Sequence, residues 1–299
     1  MAEPDELYTL RAQYWLGHYT LALDEGRAAA RRPMPSHLKS EREEMMLRCQ
    51  LALGQYDKVM ADAGSSSLAM QALALHANYL SSASGEARNA VLDNLKVLIT
   101  SSEASGNTSL QLTACHIFLA ANQLKDALQC VHLGLTMEHL SMCIQIYIKI
   151  DRLDLANDAL NLLKQADEDS ILAQLAAVQL AIATGRSKAD DAVHMLMGLS
   201  EQYGPSLMLL NYLAVANMVG GEYEAAESNL KEAIDEYEGI NDADTLVNMV
   251  CCSQHLGRKD VEKYLNALKM GCGVGHPFVE GLVQVEGAFE REATKYVTA

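Results

Sequence analysis

The chain has 299 residues, 49% of them hydrophobic but only 5% aromatic, with five prolines and a formal net charge of −16. So acidic a surface repels phosphate backbones and anionic lipid headgroups, which argues against direct binding of nucleic acid or a membrane surface. The length suggests about two domains by ordinary scaling, unless the chain is a repeat array, which needs no common core.

Apolar residues recur at helical intervals almost throughout, and the breaks between them predict a succession of helical hairpins. The first covers about 5–31 and breaks near Gly17; Arg27, Arg31 and Arg32, the densest basic group, mark a helix end before Pro33 and Pro35. The second covers 38–63 with its break at Gly54, and small residues from Gly64 to Ser67 link it to a third over 67–101, turned at Ser81 to Gly85. Polar residues Ser101 to Ser109 lead into a pair over 109–134, with Thr108 or Ser109 as the expected cap. Pairs over 138–165, 170–200, 206–237 and 242–270 follow, and Asp167-Glu168-Asp169-Ser170 reads as a helix start with Ser170 as cap. Gly271 to Gly275 reads as a break. A last helix runs from Pro277, which suits a first helical turn, to about Val297, and is the expected cap of the array.

The stretch from Pro205 to Ile240 sets the pattern for the rest. Around Gly220-Gly221 it holds two helices, the second carrying Tyr223, Ala226, Leu230 and Ala233 on one face. A large residue, an alanine three later and apolar residues beyond it form the tetratricopeptide pattern, in which the alanine lets two helices approach. Ala192 lies 34 residues before Ala226, Ala156 36 before that and Ala127 a further 29, each within a similar quartet. Tyr19-x-x-Ala22 and Tyr56-x-x-Val59 recur at 37, and Val261 begins a degenerate copy 35 after Ala226. The expected interval is about 34. The fold class is therefore all-α, a curved tetratricopeptide-like (TPR) solenoid forming one array over 1–299 with a C-terminal capping helix.

The motifs that resemble chemistry lack its context. Gly271-Cys272-Gly273-Val274-Gly275-His276-Pro277 has no preceding strand and no Lys-Ser/Thr ending, so it is not a phosphate loop. Cys115, His116, Cys130, His132 and His139 lack the paired spacing of a zinc site, and adjacent residues such as Cys115-His116 or Cys251-Cys252 diverge by about 100° on a helix. Asp151, Asp154 and Asp158 stand at a turn and a helix start, where carboxylates stabilise the N-terminus without doing chemistry. No cofactor, no metal and no catalysis are expected. Seven cysteines without framework spacing suit a reducing compartment, and the acidic opening MAEPDELYTL is not a signal peptide.

That leaves the inner wall of the solenoid, where the first helix of each hairpin receives partner segments. With the marker alanine as position 20, positions 5, 9 and 12 select Leu7, Arg11 and Tyr14; Glu44, Arg48 and Leu51; Leu112, His116 and Leu119; Ser141, Gln145 and Ile148; and Asn211, Val215 and Met218. A co-chaperone or adaptor binding a protein tail is the alternative reading. Its carboxylate clamp needs lysines and asparagines at positions 5 and 9, and this row reads Leu/Arg, Glu/Arg, Leu/His, Ser/Gln and Asn/Val, so that clamp is not formed. Charge reversal at Arg11 or Arg48 is expected to weaken partner capture without unfolding.

Several runs carry a resemblance. Lys149-Ile150-Asp151-Arg152-Leu153-Asp154-Leu155-Ala156 with Asp167-Glu168-Asp169, Leu246-Val247-Asn248, Ser253-Gln254-His255-Leu256-Gly257 and His276-Pro277-Phe278 resemble the coatomer epsilon subunit family. The likeness spans essentially the whole chain. It implies a structural subunit of the COPI vesicle coat that binds and stabilises the C-terminal region of the coatomer alpha subunit beside other COPI subunits. It further implies a cytoplasmic protein peripheral to Golgi membranes and COPI-coated vesicles, serving Golgi-to-ER retrograde and intra-Golgi transport, with membrane contact only through the coat.

Overall fold

A computed structural model describes residues 5–64, 67–102, 104–237, 242–272 and 276–297. Among these the regular structure is helical, with no strand, and no helix is long and apolar enough to cross a membrane. Helix contacts divide the chain into two units, Met1–Thr184 and Gly185–Ala299.

The first unit holds α1 (Tyr8–Trp15) and α2 (Tyr19–Ala29), α3 (Ser36–Ala52) and α4 (Tyr56–Ala63), α5 (Leu68–Ser81) and α6 (Gly85–Ile99), α7 (Thr108–Ala120) and α8 (Leu124–Val131), α9 (Met137–Lys149) and α10 (Leu153–Ala166), and α11 (Ile171–Thr184). The second holds α12 (Ala189–Tyr203), α13 (Leu207–Gly220) and α14 (Tyr223–Glu236), α15 (Ala243–His255) and α16 (Val261–Cys272), and α17 (Pro277–Val297). In the first unit α1–α10 form hairpins whose odd-numbered member comes first, and α11 packs on α9 as a further first helix; in the second, α12 packs on α13 as a return helix does, and α13–α14 and α15–α16 are hairpins.

Two local devices build the array. Most first helices open on a polar cap whose side chain accepts an orphan backbone N–H: Ser67 from Met70, Asn107 from Leu110, Thr136 from His139, Ser170 from Ala173, Ser206 from Leu209 and Asp242 from Thr245. Asn107, rather than the expected Thr108 or Ser109, caps α7; Thr108 is already the first helical residue. Most hairpin turns have no such cap, although Ser84 opens α6 by accepting from Ala87. At Gly17, Gly54, Asn122, Asp151, Gly221 and Gly257 the backbone enters the left-handed region, with φ between 57° and 93°. The next N–H then donates to a carbonyl five residues back, as from Gln123 to Phe118, Arg152 to Tyr147 and Glu222 to Asn217, each at 2.8 Å. This is a Schellman turn, in which asparagine and aspartate pay less than other side chains for the glycine slot.

The marker positions do what their size requires. Ala22, Val59, Ala127, Ala156, Ala192 and Ala226 are all fully buried, each on a return helix packed against its own or the following first helix. In the second unit Ala226 and Leu230 meet Ala214, Leu246 and Met249 in one cluster. The degenerate marker Val261 is only half-buried. Helix α16 continues through Gly271 to Cys272, so the break begins later than the sequence suggests; 273–275 lie outside the described residues, as do 65, 66 and 103 of the two earlier links. Pro277 opens α17, whose Val279 is buried and whose Phe278 packs on the same cluster.

Candidate partner-binding cavity

In the first unit the superhelix turns far enough for α1 to come back into contact with α11. The first helices thereby surround a cavity of about 650 Å³. Arg11 and Trp15 of α1, Glu41, Glu44 and Arg48 of α3, Met70 of α5, Ser109 of α7, Glu138 of α9 and Leu172 of α11 line it.

Glu138 is the residue on which this wall closes. It sits in the first turn of α9, where a carboxylate complements the helix dipole. Its Oε1 accepts the Trp15 Nε1–H at 3.0 Å, across 123 residues of sequence. The same carboxylate receives Arg48 Nη1 at 3.2 and 3.3 Å. Arg48 Nη2 donates to Glu44 one helical turn earlier, and both residues are nearly buried, at 7% and 8% exposure. Burial by itself raises a carboxyl, but the Arg48 charge and the bonds from Trp15 and Arg48 hold Glu138 below its ordinary value. Burial likewise disfavours the Arg48 cation, and Glu138 and Glu44 outweigh it, so the guanidinium is held charged more firmly than usual. Tyr14, on the same helix as Trp15, is pushed up by burial.

Nearer the rim, Arg11 Nε donates to Glu41 at 2.7 Å and its Nη1 to Asp5 at 2.6 Å. Between α5 and α7, the rings of His76 and His116 stack with centroids 6.1 Å apart. Burial lowers His76 to about 3 and His116 to about 4, so both are neutral imidazoles at neutral pH.

The residues selected by repeat position meet different fates, and Ser141 among them is buried. Arg11, Glu44 and Arg48 line the cavity. Leu7 and Leu112 are buried in hydrophobic clusters and offer no surface; Tyr14, Leu51, Leu119, Ile148 and Met218 are half-buried and pack against such clusters. His116 forms the ring stack, while Gln145 and Val215 are half-buried. Asn211 belongs to a seam between first helices, donating to Thr245 Oγ1 at 2.7 Å and accepting from Asn248 at 2.9 Å. Charge reversal at Arg48 is therefore not the clean binding probe its position suggests, because it would place a third carboxylate beside Glu44 and Glu138.

Trp15 and Glu138 escape the position rule. Trp15 is one residue beyond Tyr14, and Glu138 lies before the position-5 residue of its repeat. The signal for Trp15 is its being the chain's sole tryptophan; for Glu138 the sequence carries none.

Among the described residues no three His, Cys, Asp or Glu side chains gather to hold a metal ion. Cys115 points into the core while neighbouring His116 reaches the ring stack, the divergence expected of adjacent helical residues. Cys143 and Cys252 donate to the carbonyls of Val131 and Tyr223 at 3.2 Å. Burial pushes Cys49 up to about 12 and Cys130, Cys143 and Cys252 to about 11, and raises Cys115 and Cys251 as well. These six thiols are expected to react with a maleimide at pH 7 far more slowly in the folded protein than in urea. Mass-mapped labelling checks this, and one fast cysteine among the six would reopen the case for a nucleophile.

The coatomer epsilon subunit family model matches residues 3–297. The chain is 35% identical to coatomer subunit epsilon-1 of Oryza sativa subsp. japonica over 97% of its own length and 98% of that protein's. It is 34% identical to coatomer subunit epsilon-1 of Arabidopsis thaliana over 97% of each. Among solved structures, a tetratricopeptide repeat protein from Parabacteroides merdae aligns over 93% of this chain and 96% of its own, with a TM-score of 0.55 at 14% identity, a likeness of fold.

Proposed function

This chain belongs to the coatomer epsilon subunit family, and on that premise we propose that it is a non-catalytic structural subunit of the COPI coat whose first unit encloses a segment of the alpha subunit's C-terminal region. The observation that carries this reading is the closure of the wall through Glu138, Trp15 and Arg48 around a cavity with room for a polypeptide segment. Its lining alternates apolar side chains, Trp15, Met45, Met70 and Leu172, with carboxylates and arginines. An inserted chain needs both, because its side chains require apolar contact and its backbone requires hydrogen-bond partners. Enclosure acts mainly on dissociation, which suits a permanent subunit. The continuous array over 1–299, its place in the cytoplasm and, through the coat, on Golgi membranes, and its service in Golgi-to-ER and intra-Golgi transport belong to the same proposal.

The test uses Arg11, which lines the cavity and is only partly buried. Arg11→Glu places a carboxylate beside Asp5 and Glu41 at the rim, where ion pairs contribute about 1 kcal/mol or less, so the fold should survive. Affinity for the alpha C-terminal region is expected to fall about tenfold, roughly 1.4 kcal/mol. Titration calorimetry measures it, and wild-type affinity would move the binding site away from this cavity.

A further inference from the structure

The apolar stripe of α17 continues the hydrophobic core of the second unit and then runs out past it. Val279 is fully buried and Phe278 packs on the cluster, yet Val285, Phe289 and Tyr296 are 68%, 73% and 81% exposed. Leu282, Val285, Phe289 and Tyr296 are spaced three, four and seven apart, so they share a face with Phe278. At about 1.5 Å per residue this face extends roughly 27 Å from Phe278 to Tyr296. Among the described residues no other helix packs along α17. A helix of 21 residues carrying Gly281 and Gly287 is marginal in water by itself, because most helix stability comes from a packed apolar face.

In both units first helices are packed against return helices, and α17 follows the α15–α16 hairpin in chain order, as a first helix would. The occupant its stripe fits is therefore a helix lying where a return helix would lie. Charge decides whose. Glu286 borders the stripe, Glu292 interrupts it between Phe289 and Tyr296, and Glu290 lies behind Glu286; Lys295 is paired to Glu292 at 2.7 Å. A second copy would bring the same carboxylates, and another chain of net charge −16, against these.

We infer that α17 docks an amphipathic helix with lysine- or arginine-rich flanks, supplied by the same alpha subunit region, which lies in the place of a return helix. The inference rests on the reading of that region as the partner. The closing experiment is amide hydrogen exchange on the full chain, free and mixed with the alpha C-terminal region, together with the double variant Val285→Asp/Phe289→Asp. Both side chains are exposed, so the variant should match the free wild type in helicity and melting temperature. In the complex, amides from about Leu282 to Tyr296 are expected to exchange at least tenfold more slowly than in the free chain. The variant should lose that slowing and bind at least tenfold more weakly. A complex that forms while α17 exchanges as in the free chain would overturn this inference and leave the cavity reading standing. Failure of the wild type to bind at all would overturn both. Dimers in light scattering that the variant dissociates would put a second copy on the stripe and also overturn it.

Discussion

Arg48→Met is expected to destabilise the first unit by about 3–5 kcal/mol, because it strands two carboxylates in a nearly closed wall. Methionine nearly fills the space of the arginine stem, so the loss comes from charge rather than from a cavity. Glu44 and Glu138 would then lack their shared cation, and Trp15 would donate to a carboxylate driven towards protonation. Urea unfolding should show a lower midpoint at an unchanged slope. The companion variant Arg48→Met/Glu44→Gln/Glu138→Gln removes all three charges together and should recover most of the loss, since a missing ion network is far cheaper than a broken one. If Arg48→Met unfolds at the wild-type midpoint, the network is not holding the wall.

The triple variant also separates stability from recognition. It keeps a neutral wall of nearly the same shape, and the amide oxygen that replaces the Glu138 carboxylate can still accept from Trp15. Should it fold like the wild type and still bind the alpha region fully, the cavity's charges serve closure alone.

How much of this was legible depends on the range of the interaction. The hairpin turns are local, so Gly17, Gly54 and Gly221 announced themselves, whereas Asn122 and Asp151 hold the same left-handed slot without a glycine to mark it. The marker alanines were legible because close approach forbids a larger side chain, and that constraint repeats at every seam. The cavity was legible only halfway. Repeat position placed Arg11, Glu44 and Arg48 on the inner wall, since that follows from helix phase alone. It could not tell them from Leu7 or Leu112, because whether an inward position packs on its neighbour or stays open depends on the curvature of the stack. Glu138 and Trp15 meet only because that curvature brings α1 round towards α9 and α11, which no pattern inside one repeat encodes. The helical periodicity of α17 predicts a cap; what that helix leaves uncovered is a tertiary fact.

Ala226→Trp is the second large effect, expected to cost at least about 3 kcal/mol, the upper part of the usual range for overpacking. Ala226 is fully buried where α14 meets α13, and its cluster includes Ala214, itself without exposure. An indole there must push the two helices apart, and the displacement would pass to Leu246 and Met249 of α15 in the same cluster. The neighbouring Ala225 provides the control, since it lies on the same helix and is exposed. Ala225→Trp bears the same helix-propensity penalty, about half a kcal/mol, and no packing penalty. A melting scan of the two variants therefore isolates the close contact from everything else about tryptophan in a helix. A loss confined to Ala226→Trp means that the small residue is there to let helices meet. Equal losses would mean that the repeated alanine marks the sequence without setting the spacing of the array.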